Sequence, residues 1–157
     1  MNAVLKPQVL FGTETVNDVL EEIRPLLVAH KDEVAHYHDL ELKPDYGKYY
    51  AAQQHGLLRI YTARIDGSLI GYVIYLLGFS LHYSDSLQAL ADVLYLDQRY
   101  RRGRLGRNLI LYSEDQLRAD AVQVVRQHHK LKSALSAFFE SLGYESEDMI
   151  HVKRLDR

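Results

Sequence analysis

A short arginine-rich segment is the part of this sequence whose residue types and spacing are best suited to chemistry. Residues 97–107 contain five arginines and two glycines: Arg99, Arg101, Arg102, Arg104, Arg107, Gly103 and Gly106. The segment lies between an apolar run and a helical pattern, so it opens a helix, and the unpaired N–H groups and positive dipole at that end of a helix bind anions. Cations are unfavourable there unless an anion is present. The segment therefore predicts an anion site.

Two common phosphate loops do not explain this segment. Neither the lysine-bearing pattern G-x-x-x-x-G-K-[ST] nor the dinucleotide pattern G-x-G-x-x-G occurs in the sequence. The chain has a formal net charge of −2, so a local excess of arginine indicates a small anionic ligand rather than a nucleic acid or an anionic membrane. We expect a diphosphate that is held by a different arrangement of backbone and arginine groups.

The composition is that of an ordinary packed domain. The 157 residues fit a single domain spanning residues 1–157, and 47% hydrophobic with 25% charged residues provide enough apolar material for a core. The absence of cysteine excludes disulfide scaffolds, thiolate metal sites and a cysteine nucleophile. No signal-peptide pattern or membrane-length apolar run occurs, so we expect a cytoplasmic protein.

The N-terminal part of the chain predicts a strand and two helices. Residues 9–12 form a strand candidate, and Thr15 or Asn17 caps the helix that follows. Pro25 lies inside this helical pattern and predicts a kink or a break there. A second, tyrosine-rich helix begins at residues 44–45.

The middle of the chain predicts a hairpin. Residues 58–65 and 69–77 are apolar, aromatic-rich runs, and Asp66-Gly67 joins them. This dipeptide tolerates the positive φ angles of a two-residue turn, so the two runs are expected to pair as antiparallel strands.

The C-terminal half predicts alternating strands and helices. In chain order these are a strand at 87–96, a helix at 105–121, a strand at 122–126, a helix at 131–142 and a final strand at 149–155. The whole order indicates an α/β (α+β) fold, with a mixed, mostly antiparallel central sheet and helices on both faces.

Three segments in this order resemble the GNAT superfamily of acetyltransferases. Residues 93–107 resemble its strand and acetyl-CoA loop, whose signature is Q/R-x-x-G-x-G/A. Residues 134–144 are similar to the family's helix that ends in Leu-Gly-Phe, and the hairpin followed by residues 69–72 matches its middle strands. Among members of this superfamily, the sequence of these segments resembles phage-encoded members most.

The resemblance implies an acetyl-CoA-dependent N-acetyltransferase that transfers an acetyl group directly, with general-base assistance, to a primary amine of an unidentified acceptor. Backbone groups of Leu94 and Leu96 would pair with the pantetheine arm as an added strand does. The acetyl thioester would lie between the strands at 87–96 and 122–126. The loop whose backbone N–H groups and arginines would hold the pyrophosphate comprises Arg101, Arg102, Gly103, Arg104, Leu105, Gly106 and Arg107.

Three positions depart from the family's pattern. Arg104 stands where the middle glycine of the signature belongs. Phe139 stands where many members have the tyrosine that protonates the leaving thiolate, and Lys132 stands where they have an asparagine. Another group would then serve as the acid, or the thiolate would leave unassisted, or activity would be lost.

Acyl transfer to an amine needs a base for the amine proton and, ideally, an acid for the sulfur. Asp92 is a charged residue in an apolar strand, which indicates either a partly buried general base or a strand-end aspartate that faces solvent. His128 and His129 follow the strand that would border the thioester, and they serve either in proton transfer or as polar turn residues. His82 either closes over the acceptor or is an ordinary loop residue.

Two classes of function remain. The first is the N-acetyltransferase, acting on an amine of a small molecule, a peptide or a protein. The second is a non-catalytic acyl-CoA-binding or protein-interaction module that keeps the fold without the chemistry, and Phe139 is its main support. No metal is expected, because His36 and His38 lack an organised third ligand. A homodimer, formed through the edge after Met149, stays open.

Overall fold

Five strands form one mixed sheet in the computed structural model, which describes residues 8–156. The strands are β1 (Val9–Glu14), β2 (Leu58–Ile65), β3 (Ser68–Phe79), β4 (Leu87–Leu96) and β5 (Val124–Arg126). Their order in the sheet follows their order in the chain. Neighbours from β1 to β4 are antiparallel, whereas β4 and β5 are parallel. The predicted mixed, mostly antiparallel sheet is confirmed.

Helices cover both faces of this sheet. They are α1 (Val16–Val34), α2 (Tyr46–Gln54), α3 (Leu105–Ala119) and α4 (Leu135–Glu140), and a short 3-10 turn lies at Gln98–Tyr100. Buried side chains of α1 pack on one face, and buried side chains of α3 pack on the other. None of the helices within residues 8–156 combines the length and the apolar character that a membrane crossing requires.

The predicted hairpin is present and its turn explains its register. Asp66 has a φ angle of +49° and Gly67 one of +81°, which is the pair of positive values that a two-residue turn between twisted strands requires. Ile65 and Ser68 therefore pair directly, and β2 and β3 continue from them.

The helix α1 continues through Pro25, so the predicted break does not occur. It begins with a capping box, in which the Asp18 carboxylate accepts from the Thr15 N–H at 2.8 Å and the Asp18 N–H donates to the Thr15 hydroxyl. Pro25 lies on the exposed side of the helix, where water can replace the backbone donor that proline lacks. Val19 and Ile23 are buried and fix the apolar face against the sheet.

The C-terminal part contains less regular structure than the sequence predicts. The predicted strand at 149–155 is wrong, because no strand follows α4 in the part of the chain that is described. A strand needs the backbone of a neighbour, and the three-residue β5 pairs only with β4. Residues 130–134 form turns, which shortens the predicted helix at 131–142. The end of the chain is held instead by Arg154, which pairs with Asp39 at 3.1 Å.

Gly71 allows β3 and β4 to approach closely at the end of β4. A Cβ atom at this position would lie 2.8 Å from the Leu96 side chain and 3.1 Å from the Tyr95 carbonyl oxygen, which are distances that real Cβ atoms do not tolerate together. The lack of a side chain at Gly71 therefore lets the Leu96 side chain lie directly against the β3 backbone.

A network of charges around Arg64 joins β1, β2 and α1. Arg64 pairs with Glu14 at 2.8 Å and with Glu22 at 2.8 Å. Its side chain is only 20% exposed, so the pairs are partly shielded from water. Hydrogen bonds from Arg64 hold the pKa values of both glutamates below their usual range.

The substitution Arg64→Met is expected to lower the free energy of unfolding at neutral pH by about 2 kcal/mol, because it leaves Glu14 half-buried without its cation. The folded-state pKa values of Glu14 and Glu22 lie below their unfolded values. The stabilisation is therefore present above about pH 4.5, and it is lost as the pH falls through the folded values. Urea unfolding at pH values from about 7 to 3 measures this difference.

The matched control is Arg118→Met, which removes an exposed pair with Asp115. It is expected to change the free energy of unfolding by less than about 0.5 kcal/mol. Equal losses for the two variants, or a loss for Arg64→Met that does not shrink at acid pH, would contradict the role given to Arg64.

Candidate active site

An extra residue in β4 sets the geometry of the candidate site. Val93 pairs with Ile74 of β3, and Ala91 pairs with the next residue, Tyr75. Asp92 therefore lies between them without a partner in β3 and forms a β-bulge. Bulges of this kind redirect a side chain, and here the redirected side chain is a carboxylate.

Beyond the bulge, one edge of β4 has no neighbouring strand within residues 8–156. β5 pairs only with residues 88–90, so the rest of β4 leaves an open edge about 20 Å long. The Asp97 N–H bonds to the Ile70 carbonyl of β3 at 2.8 Å. Because backbone groups alternate in direction along a strand, those of Leu94 and Leu96 point to the open edge. They are the two residues that the resemblance assigns to a pantetheine arm.

One acceptor on this edge is already used by Arg101. Its Nε donates to the Leu96 carbonyl at 2.7 Å, and its guanidinium pairs with Glu33 of α1 at 2.8 Å. Gln98 donates to the same carboxylate at 3.0 Å. The hydrogen bond from Arg101 lowers the pKa of Glu33, so this carboxylate stays ionised near neutral pH. Arg101 thus joins α1 to the end of β4.

The other arginines of the segment differ in their partners. Arg99 pairs with Asp97 at 2.7 Å. Within residues 8–156, no carboxylate pairs with Arg102, Arg104 or Arg107. Arg102 and Arg104 are exposed. The arginine-rich segment therefore keeps uncompensated positive charge next to the first turn of α3.

The backbone of this loop also offers donors. The first hydrogen bond of α3 runs from the Asn108 N–H to the Arg104 carbonyl at 2.9 Å, so the N–H groups of residues 105–107 have no acceptor inside the helix. Gly103 has a φ angle of +108°, which a residue with a side chain rarely adopts. Arg104 stands where the family's signature has its middle glycine. Its φ angle is −101°, so the backbone conformation at this position does not require glycine.

Asp92 is hydrogen-bonded to the second helix. The Tyr49 hydroxyl of α2 donates to Asp92 Oδ2 at 2.5 Å, and both side chains are partly buried. Burial and then the bond to Asp92 raise the pKa of Tyr49, so its hydroxyl remains a donor at neutral pH. Asp92 is therefore directed at the α1/α2 side of the sheet rather than into bulk solvent.

Further aromatic side chains lie on the same side. Tyr72 is fully buried, and its hydroxyl has no hydrogen-bond partner in the part of the chain that is described. Its ring lies 5.9 Å from that of Tyr95, which in turn lies 5.8 Å from the His30 ring. Burial lowers the pKa of His30, so this histidine is neutral near pH 7. The side chains on this side of the sheet are therefore mostly aromatic, and the Arg101 guanidinium lies 5.8 Å from the centroid of the Tyr95 ring.

The three candidate histidines occupy different environments. His82 is exposed and lines a cleft with Gln88, which lies about 13 Å along β4 from Asp92. His128 is also exposed. His129 is held by Ser133, whose hydroxyl lies 3.0 Å from Nδ1. The structure does not bring His82 to Asp92, and it orders His129 more than His128.

Phe139 fills its position without offering a proton. It is buried, and its ring lies 6.0 Å from the His129 ring and 5.3 Å from the Tyr144 ring. The Tyr144 hydroxyl donates to Glu114 at 2.8 Å. Burial raises the pKa of Tyr144, which keeps the hydroxyl protonated. The hydroxyl proton of Tyr144 is therefore used in the hydrogen bond to Glu114.

Sequence comparison decides the family. Residues 18–144, which include β4, the arginine-rich loop and α3, match the Acetyltransferase (GNAT) family. The chain belongs to this family. The predicted enzyme class, an acyltransferase, is thereby confirmed. No curated protein sequence matches the chain.

Solved structures of other acetyltransferases share the fold. An aminoglycoside acetyltransferase from an uncultured soil metagenomic sample, in complex with trehalose, has a TM-score of 0.72 and 16% identity, covering 93% of this chain and 95% of that chain. The ribosomal-protein-alanine N-acetyltransferase from Brucella melitensis biovar Abortus 2308 has a TM-score of 0.70 and 17% identity, covering 94% and 99%. The aminoglycoside N-acetyltransferase AAC(6')-Iy in complex with CoA has a TM-score of 0.72 and 15% identity, covering 97% of both chains. At these identities the likeness establishes the GNAT fold alone.

Two residues of the candidate site could not be predicted from the sequence. Tyr49 is 43 residues from Asp92 in the chain, and Glu33 is 68 residues from Arg101. No local spacing links residues so far apart. The one available signal was the tyrosine-rich second helix, which indicates a pocket wall or core packing but not a hydrogen bond to β4.

The substitution Glu33→Ala tests whether this residue holds the arginine-rich loop of the candidate site. It removes the partner of both Arg101 and Gln98, so the loop is expected to open more often. Tryptic cleavage after the loop arginines should become about threefold faster or more. Asp32→Ala, at the exposed neighbouring position, is the control. Equal cleavage rates in wild type and Glu33→Ala would show that other contacts hold the loop.

Proposed function

We propose that this chain is an N-acetyltransferase that moves an acetyl group from acetyl-CoA to a primary amine. The observation that carries the proposal is the placement of three features along one strand. The open edge of β4 ends at the arginine-rich loop, and the bulge in the same strand presents Asp92 to the opposite helices. A ligand bound along the edge thus has an anion site at one end and a carboxylate near the other end.

The residues present fit coenzyme A. Backbone groups of Leu94 and the N–H of Leu96 are available for amides of a pantetheine arm, as in strand addition. The N–H groups of residues 105–107 and the side chains of Arg102 and Arg104 suit a pyrophosphate. When bound, acetyl-CoA supplies the activated acetyl group as a thioester. The binding of CoA by AAC(6')-Iy, which has the same fold, supports this assignment.

Asp92 is the general base in this proposal. An amine that forms a C–N bond while the C–S bond breaks must give up a proton, and a positioned carboxylate can accept it. Tyr49 holds Asp92 through Oδ2, and no contact described in residues 8–156 uses Oδ1. Oδ1 is therefore the oxygen that receives the proton.

His129 supplies the proton for the leaving thiolate in this proposal. Phe139 has no proton to give, and Tyr144 donates to Glu114. His129 stacks on Phe139, is held by Ser133, and carries an imidazole that can donate a proton when it is protonated. His128 and His82, the other two candidate histidines, are then outside the reaction.

Calorimetric titration with acetyl-CoA tests the proposed cofactor site. Wild-type protein should bind, and Arg102→Glu and Gly103→Glu should each weaken binding about 100-fold, because both place a carboxylate beside the pyrophosphate. Arg118→Glu is the control, because it makes the same charge change as Arg102→Glu at an exposed position of α3. This variant should bind acetyl-CoA as tightly as the wild type does. Well-folded wild-type protein that does not bind acetyl-CoA would overturn the proposal.

The substitution Asp92→Asn distinguishes the enzyme from a non-catalytic acyl-CoA-binding module, the second candidate, which buried Phe139 favours. In an enzyme, kcat should fall about 100-fold to 10,000-fold, because the base is lost, while affinity for acetyl-CoA is kept. The measurement is thiol release in the presence of a panel of amines. Equal thiol release by wild type and Asp92→Asn would exclude Asp92 as the base.

A further inference from the structure

The chain separates from β4 directly after β5. The last pair that joins these two strands is Leu90 with Arg126, and no further pair follows it within residues 8–156. β4 itself continues to Leu96, so a gap opens beside its edge at the residue after β5, which is Gln127. Unpaired backbone groups at a strand edge are able to pair with any nearby chain. Some contact must therefore hold the chain after β5 away from β4.

The Gln127 side chain reaches a buried tyrosine of β3. Its Nε2 atom donates to the Tyr75 hydroxyl at 2.5 Å. Tyr75 is fully buried in the cluster that packs on α3, and its hydroxyl lies 3.2 Å from the Ser113 hydroxyl. Ser113 donates its own proton to the Ile110 carbonyl at 2.7 Å, so the Tyr75 proton points to Ser113. The Tyr75 oxygen is then an acceptor, and Gln127 supplies the donor.

A second tyrosine repeats this arrangement. The Tyr144 hydroxyl, after α4, donates to Glu114 of α3 at 2.8 Å, so its oxygen is also an acceptor. Burial raises the pKa of Tyr144, and a side-chain hydrogen bond with Gln127 opposes this rise. A hydrogen bond lowers the pKa of a phenol when the phenol oxygen accepts it. Gln127 therefore lies between two phenol oxygens, each of which has already donated its proton.

An amide nitrogen is the group that suits both oxygens. The NH2 of glutamine carries two protons, one for each acceptor, whereas a glutamate carboxylate has none at neutral pH. A carboxylate there would also add a second negative charge near Glu114, the acceptor of Tyr144. The position therefore requires an amide and not only a polar side chain of this length.

We propose that Gln127 is a positioning residue for the cofactor: its amide holds the chain after β5 on the α3 side of the sheet and keeps open the gap between β4 and β5. This inference rests on the proposed N-acetyltransferase function, in which that gap receives the acetyl thioester. An open gap leaves the edge of β4 free for a pantetheine arm, so no backbone pairs have to break before binding. The same anchor fixes the start of the turn that carries His129, two residues further along.

Calorimetric titration with acetyl-CoA tests this role. Gln127→Leu removes both hydrogen bonds, and Gln127→Glu keeps the length of the side chain but has no proton to donate. Each should raise the Kd for acetyl-CoA about tenfold, because the chain after β5 is then free to pair with the edge of β4. Gln123→Leu and Gln123→Glu are the matched controls, since Gln123 is exposed and directly precedes β5. Both controls should bind acetyl-CoA as tightly as the wild type does.

A fragment of coenzyme A separates a change in the gap from a general loss of structure. The fragment is adenosine 3′-phosphate 5′-diphosphate, which keeps the pyrophosphate end and lacks the pantetheine arm. Its Kd, measured by displacement titration, should be the same in wild type, Gln127→Leu and Gln127→Glu, because the arginine-rich loop is unchanged. Equal weakening of the fragment and of acetyl-CoA would overturn the positioning role.

Thermal unfolding checks that the variants fold, and Arg64→Met is the control for lost stability. Arg64 joins β1, β2 and α1, so its loss should destabilise the protein and leave the affinity for acetyl-CoA unchanged. If Arg64→Met binds acetyl-CoA as weakly as Gln127→Leu does, lost stability explains both results and the inference fails. Gln127→Asn is a milder change, because its shorter side chain reaches at most one of the two hydroxyls, and it should have an intermediate Kd.

The outcomes distinguish this inference from the proposed function. Wild-type affinity for acetyl-CoA in all of the Gln127 variants would overturn the role of Gln127 and leave the N-acetyltransferase function standing. Well-folded wild-type protein that does not bind acetyl-CoA would overturn both.

Discussion

The bulge at Asp92 is the constraint on which the rest of the site depends. The Leu87 carbonyl accepts from Gln123, on the β5 side, whereas the Asp97 N–H bonds to Ile70 on the β3 side. Leu87 is the first residue of β4 and Asp97 directly follows its last residue, and although both positions are odd-numbered they face opposite neighbours. This is possible only because one inserted residue shifts the alternation of backbone groups. The same insertion gives a carboxylate to one face and an open edge of backbone donors and acceptors to the other side of the strand.

The arginines of residues 97–107 fall into two groups, according to whether a carboxylate of the chain pairs with them. Asp97 and Glu33 neutralise Arg99 and Arg101. These two arginines hold the loop in shape. Arg102 and Arg104 lie at the N-terminus of α3, where positive charge is unfavourable by itself. A bound diphosphate would remove that unfavourable term, so the protein's own electrostatics favour the complex over the free loop.

The sequence predicts well the features that neighbouring residues determine. The turn at Asp66-Gly67 and the cap at Thr15 follow from local backbone geometry, and both are present. The bulge is not visible in the sequence, because the run at 87–96 is apolar on both faces and hides a one-residue shift. The final strand at 149–155 was predicted from apolar residues, but its formation depends on a partner that local pattern does not supply. Contacts between distant residues, such as Tyr49 with Asp92, are set by the packing of α2 on the sheet.

Arg101 gives the open edge of β4 an end. Its side chain occupies the carbonyl of Leu96, the last residue of the strand. An extended ligand therefore finds both backbone groups of Leu94 but only the N–H of Leu96. The open edge therefore ends at a fixed position. The length of the ligand between its amide groups and its phosphates then determines which of its atoms lies beside the bulge.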